Sequence, residues 1–269
     1  MLKWPFLVAM VAILELGRAG LHVVFAGPVV KENNSVTVFL AGDSTVSGYP
    51  PGASPMAGWG QFIGQYFSSE IVIKNHAIAG RSSKSFINEG RLEKIACELK
   101  TGDYLFIQFG HNDENKEKPE RYADADTTYK DCLKKFVNVA RQKSAIPVLI
   151  TPMEQRRFDE QGHSMATHGK YPIAMIEMGK AEHVPVIDLT AASREYFDLI
   201  GPEKTKQLFM HLKPGASPNY PEGKTDDAHF QEKGANEIAK LVIKELQKLD
   251  VGLNRHVVPD GLDSKFEWH

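Results

Sequence analysis

Val36-Thr-Val-Phe-Leu-Ala-Gly-Asp-Ser44-Thr-Val-Ser-Gly-Tyr49 begins as an apolar, β-branched run and closes on Gly42-Asp43-Ser44 and further small residues. Such a run reads as a strand buried on both faces of a parallel sheet, with a polar side chain held above its carboxyl end. Ligands in open α/β sheets bind at such strand ends, which puts Ser44 where chemistry takes place. Ser-Thr after Gly-Asp also suits a helix N-cap, and this stretch alone does not choose between the two.

Working outward, breakers crowd 49–55, and 59–67 reads as a short amphipathic helix with Trp59, Phe62, Ile63, Tyr66 and Phe67 on its apolar side. A second strand is expected over 71–76, a helix from the Ser82-Ser83 loop to about Leu99, and a third strand over 104–109. The charged stretch 114–120 reads as a solvated loop, followed by a helix over 127–142 and a fourth strand over 146–150. After a long polar loop, 151–170, come a helix over 171–181, a fifth strand over 184–189, and helices over 191–199 and 232–249. The tail, 254–269, has no period and reads as an irregular edge. Strands and helices alternate without a linker or repeat, so the chain is expected to form one α/β domain, a parallel sheet covered on both faces. The polar ends of the first three strands then share one rim.

The 269 residues, 42% of them hydrophobic, suffice for a substantial single core. A net charge of −2 with no basic block gives no reason to expect nucleic acid. Cys97 and Cys132 form neither a disulfide framework nor a CxxC pair, and both read as half-buried small hydrophobes on helices. Lys3 precedes nine apolar residues, 6–14, and Val24-Phe25-Ala26 carries small groups where a signal peptidase reads. Glu15 and Arg18 interrupt that run, which also fits a retained N-terminal helix. An export signal over 1–26 is the favoured expectation, with a domain over 27–269 acting outside the cytoplasm; the alternative is a cytoplasmic protein. The run falls well short of the roughly 20 residues of a membrane span, so no stable insertion is expected.

Four clusters fall near the rim: Gly42-Asp43-Ser44, Ala79-Gly80-Arg81-Ser82, Gly110-His111-Asn112-Asp113, and Asp226-Asp227-Ala228-His229. A hydroxyl nucleophile requires a base, and the base requires an acceptor that fixes its tautomer. Asp226 and His229, three apart before a helix, can turn both side chains the same way, although the same spacing is also good capping chemistry. The anion formed on an attacked ester needs aimed donors, which the Ser44 and Gly80 backbone N–H groups and the Asn112 amide can supply. Asp43, His111, Asp113, Asp226 and His229 are metal-capable types, but no HExxH or regular ligand spacing appears, and no metal or cofactor is expected. GxSxG, Walker and GxGxxG patterns are missing as well.

Taken together, the blocks resemble the SGNH/GDSL hydrolase superfamily. The run FLAGDST resembles its first block, with Ser44 as nucleophile and backbone donor; NHAIAGRSS resembles the second, with Gly80 as oxyanion donor. FGHND resembles the third, with Asn112 as side-chain donor, and DDAHF the last, with Asp226 and His229 completing the triad. Asp227 stands where relatives often carry another polar residue, which leaves the acid open to a shift by one. GDST, NHAIAGRSSKSF, QFGHND, ITPMEQRRF and HGKYPIAM further resemble the rhamnogalacturonan acetylesterase group. That resemblance implies a flavodoxin-like three-layer α/β/α sandwich with a five-stranded parallel sheet. It also implies a metal-free serine esterase that removes O-acetyl groups from pectic oligo- or polysaccharide.

Tyr49, Arg81, His111, Arg156, His168 and Tyr171 are the candidate substrate contacts, since rings offer sugars flat apolar area and guanidinium matches a carboxylate. Other acetylated sugars, lipid esters and thioesters remain as alternative substrates, and a catalytically silent carbohydrate-binding protein as the non-enzyme alternative. Oligomeric state is not legible in the chain.

Overall fold

The computed structural model describes residues 35–258. The expected export signal over 1–26 and the tail beyond 258 lie outside the described residues. In chain order the elements are β1 (Val36–Gly42), β2 (Met56–Ala57), β3 (Ile71–Asn75), α1 (Ser83–Asn88), α2 (Arg91–Glu98), β4 (Tyr104–Gln108) and α3 (Thr128–Gln142). There follow β5 (Ile146–Ile150), α4 (Tyr171–Ala181), β6 (Val186–Ile187), α5 (Leu189–Thr205), β7 (Phe230–Gln231) and α6 (Glu232–Leu246).

Five strands form a parallel sheet in the order β3-β1-β4-β5-β6. Numbered among themselves they run 2-1-3-4-5, the flavodoxin-like order, whose direction reverses beside β1 and leaves a crevice at the carboxyl ends of β1 and β4. Side chains of β1 alternate between two cores. Val38 and Leu40 face a cluster completed by Ile238, Val242 and Leu246 of α6, while Phe39 and Ala41 face one built with Leu133, Phe136 and Val137 of α3. Helices thus cover both faces, giving the expected α/β/α sandwich. Among the described residues, no helix is long and apolar enough to cross a membrane.

Four expectations are corrected. The segment 59–67 is not α-helical but two 3₁₀ turns, Trp59–Gln61 and Ile63–Tyr66, joined at Phe62 with φ −108°. Their tighter pitch turns Trp59, Ile63 and Tyr66 inward, and the Trp59 indole N–H donates to Gln108 Oε1 at 2.8 Å. The single helix expected after Ser82 is split into α1 and α2 by Gly90, whose φ of +68° no helix accommodates. The fifth strand shrinks to two residues because Asp188 leaves it to cap α5, its carboxylate accepting from Ala191 N at 3.1 Å. Cys97 is exposed and Cys132 buried, rather than both half-buried. The antiparallel pair β2–β7 was not anticipated; two residues per strand leave no periodicity to read.

Candidate active site

Ser44 begins the turn after β1, and its neighbours fix that turn. Asp43, fully buried, accepts on Oδ1 from Thr45 N and Thr45 Oγ1, both at 2.9 Å. Its carbonyl accepts from Val46 N, Ser47 N and Ser47 Oγ at 3.2, 3.0 and 2.8 Å. Gln108 ties the turn to β4 by donating to Thr45 Oγ1 at 2.6 Å. The Tyr49 hydroxyl donates to the Ser44 carbonyl at 3.0 Å, so this candidate contact braces the nucleophile's backbone.

His229 arrives from the other end of the sequence, held where its carbonyl accepts from Met210 N at 2.9 Å just before β7. Its Nε2 lies 3.0 Å from Ser44 Oγ, and its Nδ1 lies 2.9 Å from Asp226 Oδ2. An ionised carboxylate can only accept, so it favours the tautomer with hydrogen on Nδ1 and a free lone pair on Nε2 facing Ser44. Burial would raise the Asp226 carboxyl, but hydrogen bonds from the His229 ring and the Ala228 and His229 backbones outweigh it and hold it well below the usual carboxylate range. Asp227 turns away, accepting from Arg156 Nη1 at 3.0 Å and lying 2.7 Å from His211 Nε2.

Backbone pairing carries the second cluster to the first. Beyond β3, His76 N donates to Leu40 O at 2.9 Å and Ile78 N to Gly42 O at 3.1 Å, so the loop tracks β1 to its end and delivers Gly80 beside Ser44. Gly80 sits at φ +77°, a conformation costly for any other residue here. Asn112, after β4, donates one amide hydrogen to Arg81 O at 3.2 Å, leaving the other for a ligand. Asp113 locks the third cluster to α1 by accepting from Ser83 N at 3.0 Å and from the Ser83 hydroxyl.

Burial pushes the Asp113 carboxyl up to about 7, against the hydrogen bonds from Ser83. A carboxyl raised on folding contributes full stability below its unfolded pKa, roughly 3.9, and that contribution is lost as pH rises through the folded value. Asp113→Asn keeps an oxygen for the Ser83 donors and removes the ionisation. Thermal melts are therefore expected to show little gain for Asp113→Asn at pH 4 and a gain of ~2–4 kcal/mol at pH 9. An equal offset at both pH values would contradict an uncharged Asp113 in the native state.

Ser44, Thr45, Gly80, His111, Asn112 and His229 line a cavity of about 300 Å³, closed by Ala79, Arg121, Gln155 and Ala228. A larger depression of about 470 Å³ lies along Pro55, Lys206, His211 and Lys233, and neither Ser44 nor His229 lines it. Of the six candidate substrate contacts, only His111 lines the cavity. Its Nδ1 is 3.4 Å from Asp43 Oδ2, and burial, with the neighbouring His168, pushes its pKa down. Arg81 is paired with Glu89 at 3.1 Å, and Arg156 is committed to Asp227. His168, 1% exposed, sits behind His111 with its Nε2 at 2.8 Å from Met153 O. Tyr171 is buried, its hydroxyl donating to Asp113 O and Ala123 O. These last four, expected at the substrate, do not line the cavity and make their contacts within the frame: a polar tip on a large body can satisfy interior carbonyls as well as meet solvent.

Two lining residues were not foreseen. Gln155 is presented by Glu154, whose fully buried carboxylate accepts from Thr167 and Arg194 and so pins the 151–170 loop to α5. It sits inside ITPMEQRRF, where a closer reading of the loop could have found it. Arg121 directly follows the charged stretch 114–120 and gave no signal. Among the described residues, no group of three or more His, Cys, Asp or Glu side chains is arranged to hold a metal ion.

A hydroxyl, an imidazole and a carboxylate in one hydrogen-bonded chain beside a cavity define a serine-type hydrolase, and the family match makes it a carboxylic ester hydrolase. The GDSL-like lipase/acylhydrolase model matches residues 40–236, and the chain belongs to that family, within the SGNH/GDSL superfamily its four blocks resemble. The rhamnogalacturonan acetylesterase RhgT of Bacillus subtilis (strain 168) is 48% identical over 223 residues, 83% of this chain and 94% of the relative. The probable rhamnogalacturonan acetylesterase YesY of the same strain is 42% identical, over 83% of this chain and 98% of the relative. Among solved structures, protein YxiM of Bacillus subtilis superposes with a TM-score of 0.71 at 30% identity, covering 81% of this chain and 58% of that longer one.

Proposed function

We propose that this esterase removes O-acetyl groups from pectic polysaccharide, rhamnogalacturonan foremost, with Ser44 as nucleophile, His229 as base and Asp226 as its orienting acid. Ser44 Oγ attacks the acetyl carbonyl while His229 Nε2 takes its proton, and the oxyanion is met by the Ser44 and Gly80 N–H groups and the free Asn112 amide hydrogen. The carbon–oxygen bond to the sugar then breaks, and His229 returns the proton to the leaving sugar oxygen. Water attacks the acetyl-enzyme, His229 takes its proton and passes it to Ser44, and acetate leaves. The Ser44–His229–Asp226 chain, at 3.0 and 2.9 Å, is the observation that carries this chemistry. The polysaccharide is supported by the 48% identity along 94% of RhgT. An extracytoplasmic site of action, expected from the 1–26 lead-in, belongs to the same reading.

A cavity of about 300 Å³ lies at the low end of ligand pockets, which suits an acetyl group and part of one sugar better than a long acyl chain. On p-nitrophenyl esters, kcat/KM is expected to fall at least about tenfold between acetate and octanoate, each misplaced methylene costing roughly 1–3 kcal/mol. Acetate release is expected to be faster from acetylated rhamnogalacturonan than from acetylated xylan. Faster turnover of xylan, or of octanoate, would overturn the substrate assignment.

A further inference from the structure

Asp43, one residue before the nucleophile, uses only one of its carboxylate oxygens. Oδ1 accepts from Thr45 N and Thr45 Oγ1, whereas Oδ2 is buried and, among the described residues, has no hydrogen-bond partner. What faces it is His111 Nδ1, at 3.4 Å. Both nitrogens of that ring are buried without a partner as well, although the residue lines the Ser44 cavity. The ring is backed by His168, packed edge-on with centroids 4.2 Å apart. His168 is held in turn at 2.8 Å from Met153 O, with Glu114 Oε2 3.4 Å from its Nδ1. A buried carboxylate oxygen left unpaired is costly, and an imidazole pressed against it lowers that cost by donating its hydrogen. Burial would raise the Asp43 carboxyl, but the His111 ring and the Thr45 bonds hold it below the usual carboxylate range, so it stays ionised and can only accept. A neutral His111 facing it carries its hydrogen on Nδ1.

We infer that His111 is a positioning residue for the oxyanion hole: by donating from Nδ1 to Asp43 Oδ2, it holds the carboxylate that shapes the turn carrying the Ser44 N–H. That N–H belongs to the peptide unit joining Asp43 to Ser44, so its direction follows the Asp43 backbone. Asp43 sets the turn from both ends, Oδ1 taking Thr45 and the carbonyl taking Val46 and Ser47. A carboxylate free to swing would loosen the Thr45 bonds and, with them, the aim of the donor one position earlier. A separation of 3.4 Å is long for such a bond, as active-site bonds often are before substrate binds and tightens them. The inference rests on the proposed serine-esterase reading. It gives His111 a role exerted through Asp43 instead of the sugar contact expected of it.

The test uses p-nitrophenyl acetate, which carries no sugar, so its turnover reads the oxyanion hole apart from any polysaccharide contact. His111→Leu, which fills the space without a donor, is expected to lower kcat about ten- to a hundredfold with KM within about twofold, less than the loss of a whole oxyanion donor. His111→Asn places an amide nitrogen near the position of Nδ1 and should restore most of the rate. His111→Gln places its amide near Nε2 and should not. In Asp43→Asn the charge to be held is gone, so adding His111→Leu should cost less than about threefold more. Each variant is melted alongside; should His111→Leu fail to fold, the Asn and Gln variants decide, with kcat expected at least about fivefold higher for Asn. A rise in KM with kcat intact, or recovery by Gln and not by Asn, would make His111 a substrate contact and overturn the positioning role. So would an unchanged kcat in all three variants, or losses that simply multiply in the double variant. A wild-type chain with no turnover of this ester would instead strike the esterase reading, and this role with it.

Discussion

Ser44→Ala is expected to lower kcat for acetate release by at least about four powers of ten, since a serine triad without its nucleophile keeps only what the oxyanion donors and binding supply. Stability should hardly change. The Ser44 hydroxyl bonds only to His229, whereas the turn around it is held by Asp43, Thr45 and Gln108. One partly solvated hydrogen bond is worth roughly 0.5–1.5 kcal/mol, too little to unfold the chain. The comparison of kcat with a thermal melt separates the two. A Ser44→Ala protein that melts normally and keeps a tenth of wild-type turnover would remove covalent catalysis at this position.

The adjacent aspartates give the second large effect, because their contacts differ so sharply. Asp226→Asn retains an oxygen for the Ala228 and His229 backbone N–H groups, so the turn should persist. Its amide, however, presents hydrogens where Asp226 Oδ2 now faces His229 Nδ1. The imidazole then favours its hydrogen on Nε2, pointing at Ser44, and cannot take the serine proton. A loss of about three to four powers of ten in kcat is expected, as when the corresponding carboxylate of a serine protease is changed to an amide. Asp227→Asn should cost less than about tenfold. Its carboxylate, 47% exposed, holds Arg156 and His211, and an exposed pair contributes about 0–1 kcal/mol. The reverse ranking would move the orienting acid to Asp227, and small equal losses would mean that His229 works without a carboxylate.

The parts of the fold that could be read from the chain are those with a period or a strong boundary. β1, β4 and β5 are apolar runs closed by Gly-Asp, Gly-His and Thr-Pro, and α4 begins at Tyr171 with Pro172 in its first turn, where a proline fits. Elements of two residues, such as β2 and β7, have no period to detect, and β6 was legible only inside a longer apolar run. The site divides the same way. Ser44 and His229, 185 residues apart, could be paired only through their family blocks, whereas the turn of Asp226 towards His229 followed from their spacing. Side-chain direction in loops was the weak point. Arg81, Arg156, His168 and Tyr171 belong to types that contact sugars, yet carboxylates or interior carbonyls claimed them first. Arg121, just past the 114–120 stretch read as solvated, lines the cavity because the turn after Lys118 brings it back to Gly80.

Covalent chemistry at Ser44 is tested most directly by trapping it. Wild-type protein incubated with a small fluorophosphonate, then digested and analysed by mass spectrometry, is expected to carry a single adduct, on the peptide containing Ser44, with activity lost in proportion to labelling. Asp226→Asn should label far more slowly, and Ser44→Ala should not label at that peptide. An enzyme fully inactivated with its adduct on another residue, or one fully labelled at Ser44 yet still releasing acetate, would contradict the assignment.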